Sequence, residues 1–320
     1  MSSPASTILR RALLYVPASS PRMLAKSLTL RSDNVTYDLE DSVTPSHKRD
    51  ARKHLCSHLS SLERTSSIGD LAVRINGVST PHALEDLRAL AGVPNLETIV
   101  VPKVNSASDL SFVTDVLRHV APERHSAVPG APPIKLIALI ESARAIMDLR
   151  SICAASPYLD GLIFGAEDFA ADLCITRTPS LKEFMYARSA MVTAARAFHL
   201  SSCIDLVCTA YKGPEAKAVL EKECLNGKEM GFNGKQCIHP DQVAIVQNMF
   251  APSEAEVEWA VRLLIADRKA SEAGRGAWTL QGKMIDAPVA ARARVLVTKA
   301  KQCGFDVDSM NEKWQHQEPE

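Results

Sequence analysis

The sequence predicts an α/β fold: a (β/α)8 TIM barrel followed by a C-terminal helical extension. Three observations carry this expectation. Short β-branched apolar runs alternate with longer amphipathic stretches, which indicates a parallel sheet buried on both faces. Eight such runs occur, enough to close a barrel. Polar residues also collect at the carboxyl ends of these runs, the face on which a barrel builds its active site.

The expected strands are Ala12–Pro17, Asn34–Asp41, Leu71–Asn76, Thr98–Val104, Ile134–Glu141, Gly161–Asp168, Cys203–Cys208 and Gly234–His239. Helical periodicity between them covers Pro81–Leu90, Ser106–Val120, Ala143–Ala154, Leu181–Phe198 and Pro214–Met230. The Pro- and Gly-rich segment 122–133 reads as an inserted surface loop. It precedes the fifth strand, which puts it on the face away from the chemistry. Ser253 and Glu256 have the spacing of a capping box and open a helix that ends before Gly274. A last helix follows an Asp-Ala-Pro start at 286–288. The domain plan is therefore a flexible N-terminus over 1–10, a catalytic barrel over 11–250, a helical extension over 251–305 and a disordered tail over 306–320.

Composition narrows the function. Lys+Arg and Asp+Glu both number 37, so the formal net charge is zero, which argues against nucleic acid or a membrane surface as partner. No apolar run reaches the roughly 18–20 residues of a membrane span. The eight cysteines form no C-x-x-C pair and read as reduced, buried thiols of an intracellular protein. The start MSSPASTILRR is Ser-rich, basic and free of acid, a weak organellar signal, so a mitochondrial or cytoplasmic location is expected.

The strand ends supply the candidate chemistry. Glu141 and Asp168 close adjacent expected strands and could share a hard cation such as Mg2+, which binds one or two carboxylates. They could equally be solvated acids near helix N-termini. Arg74 could clamp a carboxylate through two donors, or pair structurally with the Asp38-Leu39-Glu40-Asp41 acids. Alternation places Asp38 and Glu40 on one strand face and Asp41 on the other. Acids this dense need a positive answer, from Arg74, Lys48, Lys103 or a metal. Glu40, Asp41 and Lys103 join Arg74 in the expected substrate-binding set. Gly231, Gly234 and Lys235 could approach a phosphate or simply turn into strand eight, and His239 reads as structural.

The motifs LLYVPASSPRMLAKS (13–27), YDLEDSVTPSHKRDAR (37–52), VRING (73–77), VPKV (101–104), ALIESARAI (138–146), FGAEDFAADL (164–173), MGFNGKQCIHPDQVAIVQ (230–247) and GKMIDAPV (282–289) together resemble the citrate lyase β-subunit-like family of the HpcH/HpaI aldolase/citrate lyase superfamily. The likeness runs from about residue 11 to about residue 302 and leans toward its mitochondrial citramalyl-CoA lyase-like branch. The resemblance implies a Mg2+-dependent carbon–carbon lyase of the oxo-acid-lyase type. Its substrate would be a 3-hydroxyacyl-CoA acid, split reversibly into a keto acid and acetyl-CoA. It implies Glu141 and Asp168 as metal ligands, Arg74 as the carboxylate-binding arginine, and Asp286 as a catalytic acid that reaches a neighbouring subunit's site. A homo-oligomer, a trimer in particular, follows from such sharing. Two alternatives are kept: a synthase-type condensation followed by thioester hydrolysis, and a non-catalytic subunit of a lyase complex. Two departures from the family pattern stand out. Ala166 replaces a serine, and the loop 209–214 lacks the usual acidic signature.

Overall fold

In the computed structural model, which describes residues 8–63, 67–126 and 130–320, alternation of side chains along each strand builds two apolar layers. On β1 (Ala12–Pro17) the inward Leu13 meets Ala72, Val100, Ile137, Leu139, Ile163 and Ile204 from the other strands in a core inside the barrel. The outward Ala12, Leu14 and Val16 join the larger core between strands and helices.

The barrel continues through β2 (Ser32–Asp38), β3 (Ile68–Arg74), β4 (Thr98–Val101), β5 (Lys135–Ile140), β6 (Leu159–Phe164), β7 (Ser202–Asp205) and β8 (Gly234–Cys237). Every neighbouring pair is parallel, and β8 returns to β1 through Ala12 opposite Lys235, closing the barrel in sequence order. Helices α1 (Pro21–Ser27), α2 (Lys48–Ser61), α3 (Pro81–Leu90), α4 (Ala107–Val120), α5 (Pro122–His125), α6 (Ala143–Met147), α7 (Leu149–Ala154), α8 (Ala166–Asp172), α9 (Met185–Ala197), α10 (Ala216–Met230) and α11 (Pro240–Phe250) complete this unit.

Several strands stop earlier than the residue pattern suggests. Strand β2 ends at Asp38, so Glu40 and Asp41 lie in the following loop and strand alternation does not apply to them. Strand β6 ends at Phe164, and Glu167 and Asp168 sit in the first turn of α8, where negative charge complements the helix dipole. The segment 122–133 is not wholly loop, because Pro122 opens the short α5, whose His125 packs edge-on against Tyr158 at 4.5 Å. Residues 127–129 of that insertion lie outside the described residues, as do Met1–Thr7 of the expected targeting segment.

Arg10, expected in a flexible N-terminus, is buried at the amino end of the barrel. It bonds Asp70 and Asp160 at 2.5 Å each and Ser202 at 3.0 Å, closing the floor opposite the catalytic face. Nearby, Gly234 lets the chain pass Arg10, since a Cβ there would lie 2.0 Å from the Arg10 carbonyl oxygen. Gly231 ends α10 in the left-handed region at φ +99°. A turn and a close approach thus account for the two glycines. All eight cysteines are free; Cys153, Cys203, Cys208, Cys224 and Cys237 are buried, while Cys174 is exposed. No helix among the described residues is long and apolar enough to cross a membrane.

The chain divides into two compact units, Met1–Phe250 and Ala251–Glu320. The second contains α12 (Glu254–Glu272), α13 (Ala287–Gln302), α14 (Val307–Trp314) and the antiparallel pair β9 (Trp278–Leu280) and β10 (Lys283–Ile285). The capping box forms: Ser253 Oγ accepts from the Glu256 amide at 3.2 Å, and Glu256 accepts from the Ser253 amide at 2.7 Å. The hairpin, which the residue pattern does not announce, turns through Gln281 and Gly282, both at positive φ. The tail is not disordered. Asp306 caps α14 through the Ser309 amide at 3.0 Å, Val307 is buried, and Arg262 lies 4.2 Å over the Trp314 ring. Glu320 then pairs with Thr279 through both backbone bonds. An apolar residue and a tryptophan with a cation to cover it give this short polar segment enough to pack.

Candidate active site at the carboxyl end of the barrel

The ends of β1, β2, β3, β5, β6, β7 and β8 surround a cavity of about 470 Å³ lined by Tyr15, Asp38, Asp41, Arg74, Glu141, Asp168 and Gln236, among others. Of the expected strand-end residues, Asp38, Asp41, Arg74, Glu141 and Asp168 line it together, while Glu40 joins through its ion pair with Arg74 and Lys103 through its ion pair with Glu40.

Arg74 ends β3 beside Asp38 at the end of β2, directly across the ladder. Its Nε donates to Asp38 Oδ1 at 2.8 Å and its Nη2 to Oδ2 at 2.7 Å. Nη1 faces Glu40 at 2.9 Å and Asp41 at 3.4 Å. The guanidinium also lies 4.8 Å over the Tyr15 ring. Burial alone would raise the Asp38 carboxyl pKa, but the Arg74 fork outweighs it and leaves that pKa below the ordinary value. The arginine's own pKa is raised by the same partners against the cost of burial. Arg74 is thus salt-bridged to Asp38 and Glu40, as the structural reading expects, and it also lines the cavity.

Lys103 Nζ pairs with Glu40, and Lys48 Nζ donates to the carbonyls of Leu39 and Glu40 at 2.8 and 2.6 Å. Burial pushes the Glu40 carboxyl pKa up despite Arg74 and Lys103. Lys103 is also held at φ +52°, a costly conformation for a residue with a side chain. That backbone aims the Lys103 amide at Glu141 Oε2, 2.7 Å away.

Glu141 is buried and follows β5. Burial, with the charges of Asp168 and Glu40 adding and the Lys103 amide opposing, lifts its carboxyl pKa to about 8. Among the described residues no cationic side chain pairs with Glu141 or Asp168. Gly165 shows how the two acids approach. A Cβ at this position would fall 2.5 Å from Glu141 Cγ and 2.8 Å from Oε1, so the Gly165-Ala166-Glu167-Asp168 turn closes over Glu141 only with glycine first. Ala166, the departure from the family pattern, is buried at the start of α8.

Tyr15 and Gln236 are site residues that sequence reasoning misses. Tyr15 Oη donates to Gln236 Oε1 at 3.0 Å, while Gln236 Nε2 donates to the carbonyls of Phe164 and Asp205. A signal exists for Tyr15, a polar-tipped residue within an apolar strand; Gln236 lies in the polar run Gly-Lys-Gln-Cys, where no such contrast marks it. His239 is half exposed and stacks on Tyr211 at 5.6 Å. Asp286 belongs to the second unit, where it caps α13 by accepting from the Val289 amide at 3.2 Å.

The HpcH/HpaI aldolase/citrate lyase family pattern matches residues 11–240. The chain belongs to this family. It is 33% identical over 302 residues to the mitochondrial citramalyl-CoA lyase of Homo sapiens, covering 92% of this chain and 86% of the relative. It is likewise 33% identical to the (3S)-malyl-CoA thioesterase of Cereibacter sphaeroides over 91% of this chain and 94% of that protein. Among solved structures, CitE of Mycobacterium tuberculosis in complex with magnesium, acetoacetate and coenzyme A superposes with a TM-score of 0.71 at 29% identity. That match covers 94% of this chain and all of the other.

Proposed function

We propose that this member of the family is a Mg2+-dependent carbon–carbon lyase that splits a 3-hydroxyacyl-CoA acid of the citramalyl-CoA or malyl-CoA type into a keto acid and acetyl-CoA, reversibly. The observation that carries the proposal is the Glu141–Asp168 pair. One member is buried with its pKa pushed up to about 8, and no side-chain cation among the described residues answers either of them. An all-oxygen donor set whose two carboxylates disfavour each other's ionisation until a cation joins them suits a small hard dication. When bound, Mg2+ supplies a Lewis acid and template for the substrate's oxygens.

The protein's own residues then divide the work. Glu141 and Asp168 hold the metal. Asp38 fixes the plane of Arg74 so that its charge faces the cavity and binds the substrate carboxylate. Glu40 and Asp41, tied to Lys103, keep that lysine at the rim for a polar substrate group. Cleavage passes the hydroxyl proton to solvent water and the carbon–carbon electron pair to the thioester enolate, which must then be reprotonated. Asp286 of a neighbouring subunit is assigned the reprotonation, and in reverse it takes the proton from the acetyl methyl group. The enzyme is accordingly a homo-oligomer, with a trimer as the expected form.

A relative named as a malyl-CoA thioesterase favours one competing outcome, in which the thioester is hydrolysed. Product analysis separates the two. Incubating the chain with Mg2+ and (3S)-malyl-CoA should yield glyoxylate and acetyl-CoA in equal amounts. Release of malate and free CoA without glyoxylate would replace the lyase reading by hydrolysis.

A further inference from the structure

Arg177 lies in the segment that follows α8, and three elements of the catalytic face converge on it. Its Nη1 contacts Glu167 Oε1 at 2.6 Å, on the turn that carries Asp168. Its Nη2 donates to Glu223 Oε1 on α10 at 2.7 Å and to the carbonyl of Val207, past the end of β7, at 3.0 Å. Behind Glu223, its other carboxylate oxygen lies 3.0 Å from Nζ of Lys235, a fully buried lysine on β8. Charges thus alternate in one chain, Lys235, Glu223, Arg177, Glu167, from behind the barrel wall to the rim. The mechanism uses none of these groups.

A buried lysine in a barrel strand is costly unless its partner is held ionised and in place. Here the partner is Glu223, and Glu223 in turn anchors the guanidinium. Only a planar fork can meet a carboxylate on each side and a carbonyl as well; an ammonium cannot reproduce that geometry. Glu167 and Val207 both border the cavity, so what Arg177 fixes is the relative position of the turn after β6 and the segment after β7.

We infer that Arg177, backed by Glu223 and Lys235, is a positioning residue that locks the Glu167–Asp168 turn against the segment after β7, so that Asp168 is preorganised for the divalent cation. This rests on the proposed metal role of Asp168. Residues that orient metal ligands from outside the coordination sphere typically alter affinity by about 10–100-fold.

The test compares Arg177→Met and Arg177→Lys with Arg11→Met. Arg11 makes a similarly fork-like pair with Asp33, at 2.7 and 2.9 Å, at the opposite end of the barrel. Mg2+ affinity is measured by calorimetry on the full-length protein, and amide hydrogen exchange is followed over 166–173 and 207–213. Arg177→Met should weaken Mg2+ binding about tenfold or more and speed exchange in both segments. Arg177→Lys should recover only part of each, and Arg11→Met should leave both at wild type even if it lowers the melting temperature. Wild-type Mg2+ affinity in Arg177→Met overturns the inference, whether or not exchange changes. Should Arg177→Met fail to fold, Lys235→Met and Glu223→Gln are read by the same two measurements against the same expectations. A wild-type protein that binds no Mg2+ overturns the metal role of Asp168 and this inference together, and its own baseline reveals that case.

Discussion

Asp38 and Arg74 face each other across β2 and β3 and join through two hydrogen bonds, Nε to Oδ1 at 2.8 Å and Nη2 to Oδ2 at 2.7 Å. The side chains are 2% and 12% exposed, so water compensates little for a lost partner. Breaking such a pair by removing one charge costs on the order of 3–5 kcal/mol where burial is complete, and about 2–3 kcal/mol is expected for this partly open one. Asp38→Asn should therefore lower the denaturation midpoint measurably. It also frees the plane of Arg74, so KM for the acyl-CoA acid should rise about tenfold or more, with a smaller change in kcat. Steady-state kinetics alongside urea unfolding check both; an unchanged KM would mean that Asp38 does not orient the arginine.

The Glu141 carboxyl sets a pH dependence. Its pKa in the metal-free protein is about 8, raised chiefly by burial, against an ordinary value near 4.5. Between those values the folded protein binds a proton that the unfolded chain does not. Stability contributed by this group is therefore present at low pH and is lost as pH rises toward 8. Mg2+ needs the carboxylate, so binding between pH 6 and 8 should release a proton, and affinity should climb by up to about tenfold per pH unit before levelling off. Calorimetry in two buffers of different ionisation enthalpy measures that proton. Mg2+ binding that is independent of pH over this range would remove Glu141 from the coordination sphere.

Asp286 tests assembly. If the acid acts in a neighbour's barrel, inactive Asp286→Asn and inactive Glu141→Ala subunits should restore part of the activity when mixed and reassociated. One interface then pairs a wild-type Glu141 with a wild-type Asp286. Native mass spectrometry confirms that mixed oligomers form; absence of activity in them would place each site within one chain.

How far the sequence can be read depends on the kind of signal each residue carries. Strand β1 is legible to the residue because its short unbroken apolar run ends at a proline. Glu141 and Arg74 are legible because a charge that closes an apolar run sits where the chain leaves the buried sheet, and on a parallel barrel that edge is the catalytic face. Asp168 looks like a strand end although it lies on a helix turn, because the apolar run ending at Phe164 continues into Gly165-Ala166 with no change of polarity. The close approach of Gly165 to Glu141, where the chain leaves the sheet, is a tertiary contact that no local pattern announces. The tail looks disordered because its packing depends on Arg262 covering Trp314, a contact 52 residues apart in sequence that no local pattern announces. Arg177 is invisible on the same grounds, since its partners lie 10, 30 and 46 residues away.

If a divalent cation held by Glu141 and Asp168 drives carbon–carbon cleavage of an acyl-CoA acid, product release must depend on the ion and on both carboxylates. The most direct measurement is keto-acid release from citramalyl-CoA, malyl-CoA, β-methylmalyl-CoA and citryl-CoA, followed while Mg2+ is titrated into EDTA-treated wild-type, Glu141→Ala and Asp168→Ala protein. No release is expected without Mg2+, with saturable recovery in the wild type for at least one of these substrates and no recovery in either variant at millimolar Mg2+. Keto-acid release that persists in EDTA, or that is restored equally in Glu141→Ala and Asp168→Ala, would contradict this role for the cation.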